Sequence, residues 1–297
     1  MFAIAKHMLP FTRYPYRGQV VACPVCEAKR FHGIATLDRR FKRLPTVMCE
    51  HCGLLYTNPM PDEAELSRYY EKYYRFDYQL ATTKPTDKHR RKRHAEAAGR
   101  IANLEGLLPA GARTLDFGCG SGEFVEDMLE RGHDAHGFEP GAAYGNDARA
   151  RLGGRIRVAR WQDVDFGPEF DLVTCFHVIE HLRDPLAAIS AMASWIKPQG
   201  RIYIEVPDLG SEPFKGIGGF HFAHVVGFNT FNLQLAAARI GLKPVRIFAP
   251  TGILFERSEG EDVDILAAKG LRLAREIHAD RSAISRYAEY QMGKLRR

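Results

Sequence analysis

The sequence predicts an α/β fold in which a doubly wound, mostly parallel sheet of seven strands follows a small N-terminal module. Four observations carry this. Apolar strand patterns at 114–117, 135–138, 156–159, 170–176 and 201–206 alternate with helical ones, which implies parallel strands joined by crossovers. A closing antiparallel pair is expected at 243–248 and 253–257. The alternate glycines of Gly118-Cys119-Gly120-Ser121-Gly122 follow an apolar strand and open a helix at about Glu123, which makes the sheet Rossmann-like. Two knuckles, Cys23-Pro24-Val25-Cys26 and Cys49-Glu50-His51-Cys52, stand 22 residues apart and mark the first module as a zinc ribbon. With 297 residues and 45% apolar content, the chain can bury a full core.

The elements follow in order. Short strands at 20–22 and 54–56 flank the knuckles, and the turn Asn58-Pro59-Met60-Pro61 ends the module. Thiolates two apart on a tight turn take adjacent corners of a tetrahedron, so Cys23, Cys26, Cys49 and Cys52 are expected to hold one Zn2+. With four sulfurs the ion has no open position, and its role is structural. No apolar run approaches the roughly 20 residues that span a bilayer, and the start from Met1 to Leu9 is too short and too broken by charge for a signal peptide. A cytoplasmic protein with reduced cysteines is therefore expected, with Cys119 and Cys175 as small buried residues.

Asp62, with Glu65 three positions on, reads as an N-cap opening a helix. It leads into five tyrosines, Tyr69, Tyr70, Tyr73, Tyr74 and Tyr78, which either pack or form a lid; Tyr70 and Tyr74 are the candidates for closing a site. A basic helix containing Lys88-His89-Arg90-Arg91-Lys92-Arg93 is expected to run to Leu107-Leu108 and stop at Pro109-Ala110-Gly111. Basic runs of this kind are solvated faces or face a phosphate-bearing acceptor. The net charge of +6 permits nucleic acid, but no RNA-binding module accompanies it. Expected boundaries are 1–60 for the zinc ribbon, 61–98 for the Tyr-rich and basic connector, 99–258 for the α/β domain and 259–297 for a helical tail.

The glycine run and the segment Gly137-Phe138-Glu139-Pro140 describe the two ends of a nucleotide-type pocket. The glycines let a ligand approach the backbone, and Glu139, closing the next strand, is placed to accept from two ribose hydroxyls. A dinucleotide fingerprint would need a third glycine where Glu123 stands, and that carboxylate would repel a pyrophosphate. Asp116, just before the turn, suits a ligand with an ammonium group. The stretch resembles the class I S-adenosylmethionine (SAM) methyltransferases. The resemblance implies that the glycine turn, with Asp116, Gly118, Gly120 and Gly122, holds the amino-acid end of SAM, and that Glu139 holds the ribose. It places Asp163, in Trp161-Gln162-Asp163, at the adenine.

The segment His177-Val178-Ile179-Glu180-His181-Leu182 matches an inverted zinc-protease motif. A strand enters it and Arg183-Asp184-Pro185 breaks it, so the long helix that such chemistry needs is not expected. In methyltransferases this strand end lies beside the methyl group, which makes His177, Glu180 and His181 candidate cofactor and substrate contacts. Some quinone and small-RNA methyltransferases have a similar Glu-x-x-Glu-His segment that binds magnesium; here His177 replaces the first glutamate, and magnesium prefers oxygen. Downstream, 216–229 is rich in glycine and histidine and reads as a mobile substrate cover bearing His224.

The whole is similar to zinc-ribbon methyltransferases that include sugar C-methyltransferases and cell-surface polysaccharide enzymes. The similarity runs over about 20–257 and implies His181 and His224 as catalytic bases. Those enzymes have a glutamate at Ala223, a tyrosine at His221 and a further C-terminal domain. O-methylation of a sugar or nucleotide-linked sugar is thus as much expected as C-methylation. The alternatives are an rRNA methyltransferase with an N-terminal zinc module and a non-catalytic SAM-binding scaffold.

Overall fold

The computed structural model describes residues 10–74, 85–209, 216–248, 251–258 and 260–278, together with 288 and 292. Tyr78, the start from Met1 to Leu9 and the basic residues Lys294, Arg296 and Arg297 near the C-terminal end lie outside the described residues. The chain begins with strands β1 (Phe31–Leu37), β2 (Arg43–Cys49) and β3 (Leu55–Thr57), which form an antiparallel sheet. Helices α1 (Glu63–Lys72) and α2 (Asp87–Leu104) connect it to the second sheet. The expected capping box is present: Glu65 N donates to Asp62 at 2.7 Å and Asp62 N to Glu65 at 2.9 Å.

The α/β region then runs β4 (Arg113–Phe117), α3 (Glu123–Glu130), β5 (Asp134–Phe138), α4 (Ala142–Leu152), β6 (Ile156–Arg157), β7 (Phe170–Phe176), α5 (Pro185–Trp195) and β8 (Ile196–Glu205). It continues through β9 (Val226–Gly227), α6 (Thr230–Ala238), β10 (Leu242–Phe248), β11 (Gly252–Arg257) and α7 (Val263–His278). Seven strands order as β10-β11-β8-β7-β4-β5-β6. The five from β6 to β8 are parallel, while β11 and β10 are antiparallel, which is the expected Rossmann-like sheet. From β4 the chain proceeds outward to β5 and β6, then returns to place β7 on the other side of β4. A crevice forms where that direction reverses, at the carboxyl ends of β4 and β7, and ligands of such sheets bind there.

Several local expectations give way. Residues 20–22 form no strand: Val20 is 72% exposed, and the segment is held by pairing of Gln19 with Met60 and by the Asn58 side chain on Val21. Helix α2 stops at Leu104 rather than Leu108, because Glu105 leaves helical geometry at ψ 130° and Gly106 follows at φ +71°. Strand β6 covers two residues of the four expected at the sheet edge, and β8 starts five residues early, directly after α5. Among the described residues no helix is long and apolar enough to cross a membrane.

Long-range packing joins the cysteine module to the rest. Strand β9 pairs with β3, so a segment from beyond β8 completes the module's sheet. Asn232 on α6 donates to Cys52 O at 2.5 Å, and Asn229 donates to Gly270 O on α7 at 3.1 Å. A Cβ on Gly270 would lie 2.7 Å from Cys52 O and 2.6 Å from Asn232 Nδ2, so the helix approaches as closely as a glycine permits.

Candidate active site

The turn after β4 has the geometry its glycines suggested. Gly118, Gly120 and Gly122 take φ of +75°, +55° and +84°, a region that L side chains rarely adopt. Gly137 on the neighbouring β5 matters for a different reason: a Cβ there would sit 2.8 Å from Cys119 Cβ, so the turn rests directly on that strand. Glu139 ties strand end to turn. Its Oε2 accepts from Gly120 N at 3.1 Å and its Oε1 from Gly141 N at 2.7 Å. Burial pushes Glu139 up to about 7, against the pull of those two N–H groups. Asp116, buried, accepts from Thr174 Oγ1 at 2.7 Å, and burial pushes it up to about 6.

Glu123, where a dinucleotide fingerprint would have glycine, is buried and accepts from Ser121 Oγ at 2.8 Å. Arg90 and Arg151 approach it at 4.0 and 3.8 Å. The basic helix is partly spent in this way. Arg90 also makes a two-pronged pair with Asp147 at 2.7 and 2.6 Å, and His94 contacts Asp127 at 2.7 Å.

Across the crevice β7 ends in His177, whose φ of +56° turns the chain sharply into a short helical turn at Ile179–His181. This is not the long helix of a zinc protease. Burial opposes a charge on His177, but Glu180 at 3.7 Å and Glu205 at 3.0 Å overcome it and raise the ring to about 9. Glu205 is correspondingly held at about 2: its burial is outweighed by His177 and by Arg100, which donates to it at 2.7 and 3.2 Å.

Glu180 is 1% exposed, and neither of its carboxylate oxygens has a hydrogen-bond partner. His181 Nε2 and His224 Nε2 stand 3.7 and 3.9 Å from its Oε1. His181 Nδ1 lies 2.9 Å from Ala223 O and 2.9 Å from the Tyr70 hydroxyl. A carbonyl only accepts, so Nδ1 carries the ring proton and Nε2 is left with its lone pair. Burial lowers His181 and lowers His221 and His224 further, so these rings are neutral. A cavity of about 20 Å³ adjoins them, walled by Leu44, Leu55, Leu209, Phe220 and Phe228 with Glu180, His221 and His224 at its polar end.

Each sequence candidate has a place. Tyr70 reaches His181, and Tyr74 lies within electrostatic reach of both Glu139 and Glu180; burial, with those two charges, pushes it up to about 12. Tyr69, by contrast, is core, packed edge-on against Tyr14 and Phe222. Asp163 is half-exposed at the end of a turn, and both its oxygens are held by Arg160 at 2.8 and 3.0 Å. The segment bearing His224 differs from the cover expected: its described part is an inner wall, because Phe222, Val225, Val226 and Phe228 bury themselves against the module. Thr174, Arg100 and Glu205 escaped the sequence reading. Glu205 closes an apolar strand just as Asp116 and Glu139 do, and that signal was available.

The four thiols of Cys23, Cys26, Cys49 and Cys52 converge with Sγ atoms within 4.8 Å of one another, and none is in a disulfide. Cys23 to Cys52 is 3.7 Å and Cys26 to Cys49 is 3.5 Å. Sulfurs at the corners of a zinc tetrahedron stand about 3.8 Å apart, given Zn–S of about 2.3 Å. The residues therefore fit a zinc ion.

Comparison with known proteins agrees with the cofactor end. A stretch of 106 residues is 34% identical to the ubiquinone biosynthesis O-methyltransferase of Stutzerimonas stutzeri (strain A1501), covering 33% of this chain and 46% of that protein. The corresponding enzyme of Aliivibrio fischeri (strain MJ11) is 33% identical over 110 residues, or 35% and 46% of the two chains. The chain thus spans about half the length of the curated relatives it matches. Among solved structures, an SAM-bound amino pentose methyltransferase from Micromonospora echinaspora superposes with a TM-score of 0.42 at 22% identity, over 63% of this chain and 94% of that one. The family model for a methyltransferase domain matches residues 89–247, which run from the basic helix through the crevice to β10. That is more than half of the chain, and it belongs to the methyltransferase-domain family.

Proposed function

We propose that this chain transfers the methyl group of SAM to a hydroxyl of a small acceptor. The observation that carries the reading is the cluster of buried Glu180 with partly buried His181 and His224 across the crevice from the glycine turn. SAM supplies a methyl on a sulfonium, so the chain must align an in-line displacement and relieve the acceptor of its proton. Asp116, Gly118, Gly120 and Gly122 take the amino-acid end, Glu139 takes the ribose, and Asp163 takes the adenine amine at the rim. Tyr74, which feels the charges of both Glu139 and Glu180, and Tyr70 with His177 line the path from cofactor to acceptor. His181 and His224 activate the acceptor hydroxyl. The zinc of the four cysteines is structural: it holds the sheet that walls the cavity.

For the acceptor we favour a sugar or nucleotide-linked sugar. Arg39 bears electrostatically on His221 and His224, and Arg40 on His221, which suits an acceptor that carries phosphate. A phenolic acceptor is the second reading; the O-methyltransferase relatives favour it. Purified chain with isotopically labelled SAM, offered nucleotide sugars, free sugars, catechols and RNA, separates these by which class gains label. His224→Asn should leave SAM affinity nearly unchanged and lower kcat by roughly 10²-fold to 10⁴-fold. Label on RNA alone, or no transfer by a protein that binds SAM tightly, overturns the proposal.

A further inference from the structure

An open groove of about 510 Å³ lies outside the crevice, between the loop at 14–18 and the start of α1. Its walls are chiefly Tyr14, Tyr16, Arg17, Asp62, Glu65 and Arg68, and its volume lies within the roughly 300–1,000 Å³ of small-molecule sites. The fold builds it closely. Gly18 takes φ of +66°, and a Cβ there would lie 2.9 Å from Met60 O and 3.0 Å from the Tyr16 ring, so the loop closes as tightly as a glycine permits. Glu65 fastens the loop to the helix, accepting from Arg17 N at 2.6 Å, Gly18 N at 3.2 Å and Asp62 N at 2.9 Å.

The walls divide by chemistry. Four backbone N–H groups are spread over the carboxylates of Asp62 and Glu65, which offsets their charge and leaves lone pairs for hydroxyl donors. The cations meet no such partner: Arg17 and Arg68 are exposed, and among the described residues neither guanidinium pairs with an acidic group. The surrounding module adds to them, since residues 10–60 carry eight lysines and arginines against three acidic residues, which draws anions to this flank. Tyr16 is half-buried, and burial, with Glu65 nearby, pushes its hydroxyl up to about 12, so it stays a neutral donor. Two guanidinium forks, an aromatic ring and carboxylates with spare lone pairs complement phosphates, a base and ribose hydroxyls. We infer that this groove holds the nucleoside diphosphate part of a nucleotide-linked acceptor, with the phosphates on Arg17 and Arg68 and the base on Tyr16.

The position of the groove agrees with such a ligand. Tyr14 and Tyr16 pack on Phe222 with ring centroids 4.7 and 4.9 Å apart, and Phe222 stands two residues before His224. Two residues of chain span at most about 7 Å, so a single aromatic layer separates the groove from the histidines. A diphosphate linker carries the sugar past that layer while the base stays on Tyr16. This deepens the proposed function and rests on its reading of the acceptor as a nucleotide-linked sugar.

The test is calorimetry of the full-length chain with uridine diphosphate, in the absence of SAM; stacking on an aromatic ring accepts any base, so this probe stands for the class. Uridine diphosphate should bind, and pyrophosphate and uridine should each bind more weakly. Arg17→Gln combined with Arg68→Gln should weaken uridine diphosphate by roughly 10-fold to 100-fold through loss of two charge-assisted contacts. Tyr16→Leu should bring it down to the level of pyrophosphate. An unchanged melting temperature reports that the variants are folded, and Arg30→Gln, whose side chain lies by Glu50 away from the groove, should bind as wild type does. No binding of uridine diphosphate by the wild type, undiminished binding by the double variant, or equal binding of pyrophosphate overturns the inference. The two proposals fail separately. Methyl transfer to a nucleotide-linked sugar with unchanged KM in the double variant sinks the groove alone, and binding in the groove by a chain that methylates no acceptor sinks the proposed function alone.

Discussion

Replacing Glu139 by alanine removes a side chain that joins the glycine turn to the end of β5. Its oxygens accept from Gly120 N at 3.1 Å and Gly141 N at 2.7 Å, leaving further lone pairs on each for ribose hydroxyls. The variant loses those charge-assisted bonds, offset by relief of a carboxylate that burial has already pushed up to about 7. The net loss in SAM binding should be about 1 to 3 kcal/mol, which is about 5-fold to 150-fold in Kd. Titration calorimetry across pH gives a second signature. The carboxylate is the form that accepts from both hydroxyls, so wild-type affinity should rise as pH passes about 7 and then level off. Glu139→Ala should show no such rise. The stability of the free protein runs the other way: the folded carboxyl holds a proton that the unfolded one, at 4.5, has released, so this group's contribution falls as pH climbs from 4.5 through about 7. Undiminished SAM affinity in Glu139→Ala, or binding of NAD but not SAM by the wild type, would refute the reasoning.

Two other substitutions probe the framework. Cys49→Ser should abolish the thiolate-bound zinc and destabilise or aggregate the module, because a missing thiolate opens the coordination shell; an unchanged melting curve together with two disulfides in the wild type would rule the zinc out. Gly137→Ala places a Cβ 2.8 Å from Cys119 Cβ and 2.9 Å from its Sγ, and should cost about 1 to 3 kcal/mol with weakened SAM binding. Gly33→Ala is the control, with open space around it and ordinary backbone geometry, and a thermal melt should place it within about 0.5 kcal/mol of wild type.

What the sequence by itself determined is the chemistry that lies within a few residues of its own signal. The glycine turn, the helix it opens, the Asp62 capping box and the alternation of strands and helices could all be read because φ preference, capping and hydrophobic period are local properties of the chain. The pairing of two cysteine knuckles was legible for a related reason, since few other arrangements satisfy four thiolates. Tertiary structure decided everything that depends on which distant groups meet. Only the fold shows that β9 completes the module's sheet, and that the residues around His224 form an inner wall. Glu205 at the end of β8 meets His177 just past β7 and Arg100 on α2, a meeting not written in any of these segments alone. Likewise Glu180 could be named from its motif, but not that it is stranded in the interior with His181 from its own turn and His224 from beyond β8 around one oxygen. Burial and lone-pair direction are consequences of long-range packing, and they are what turn a candidate residue into a site.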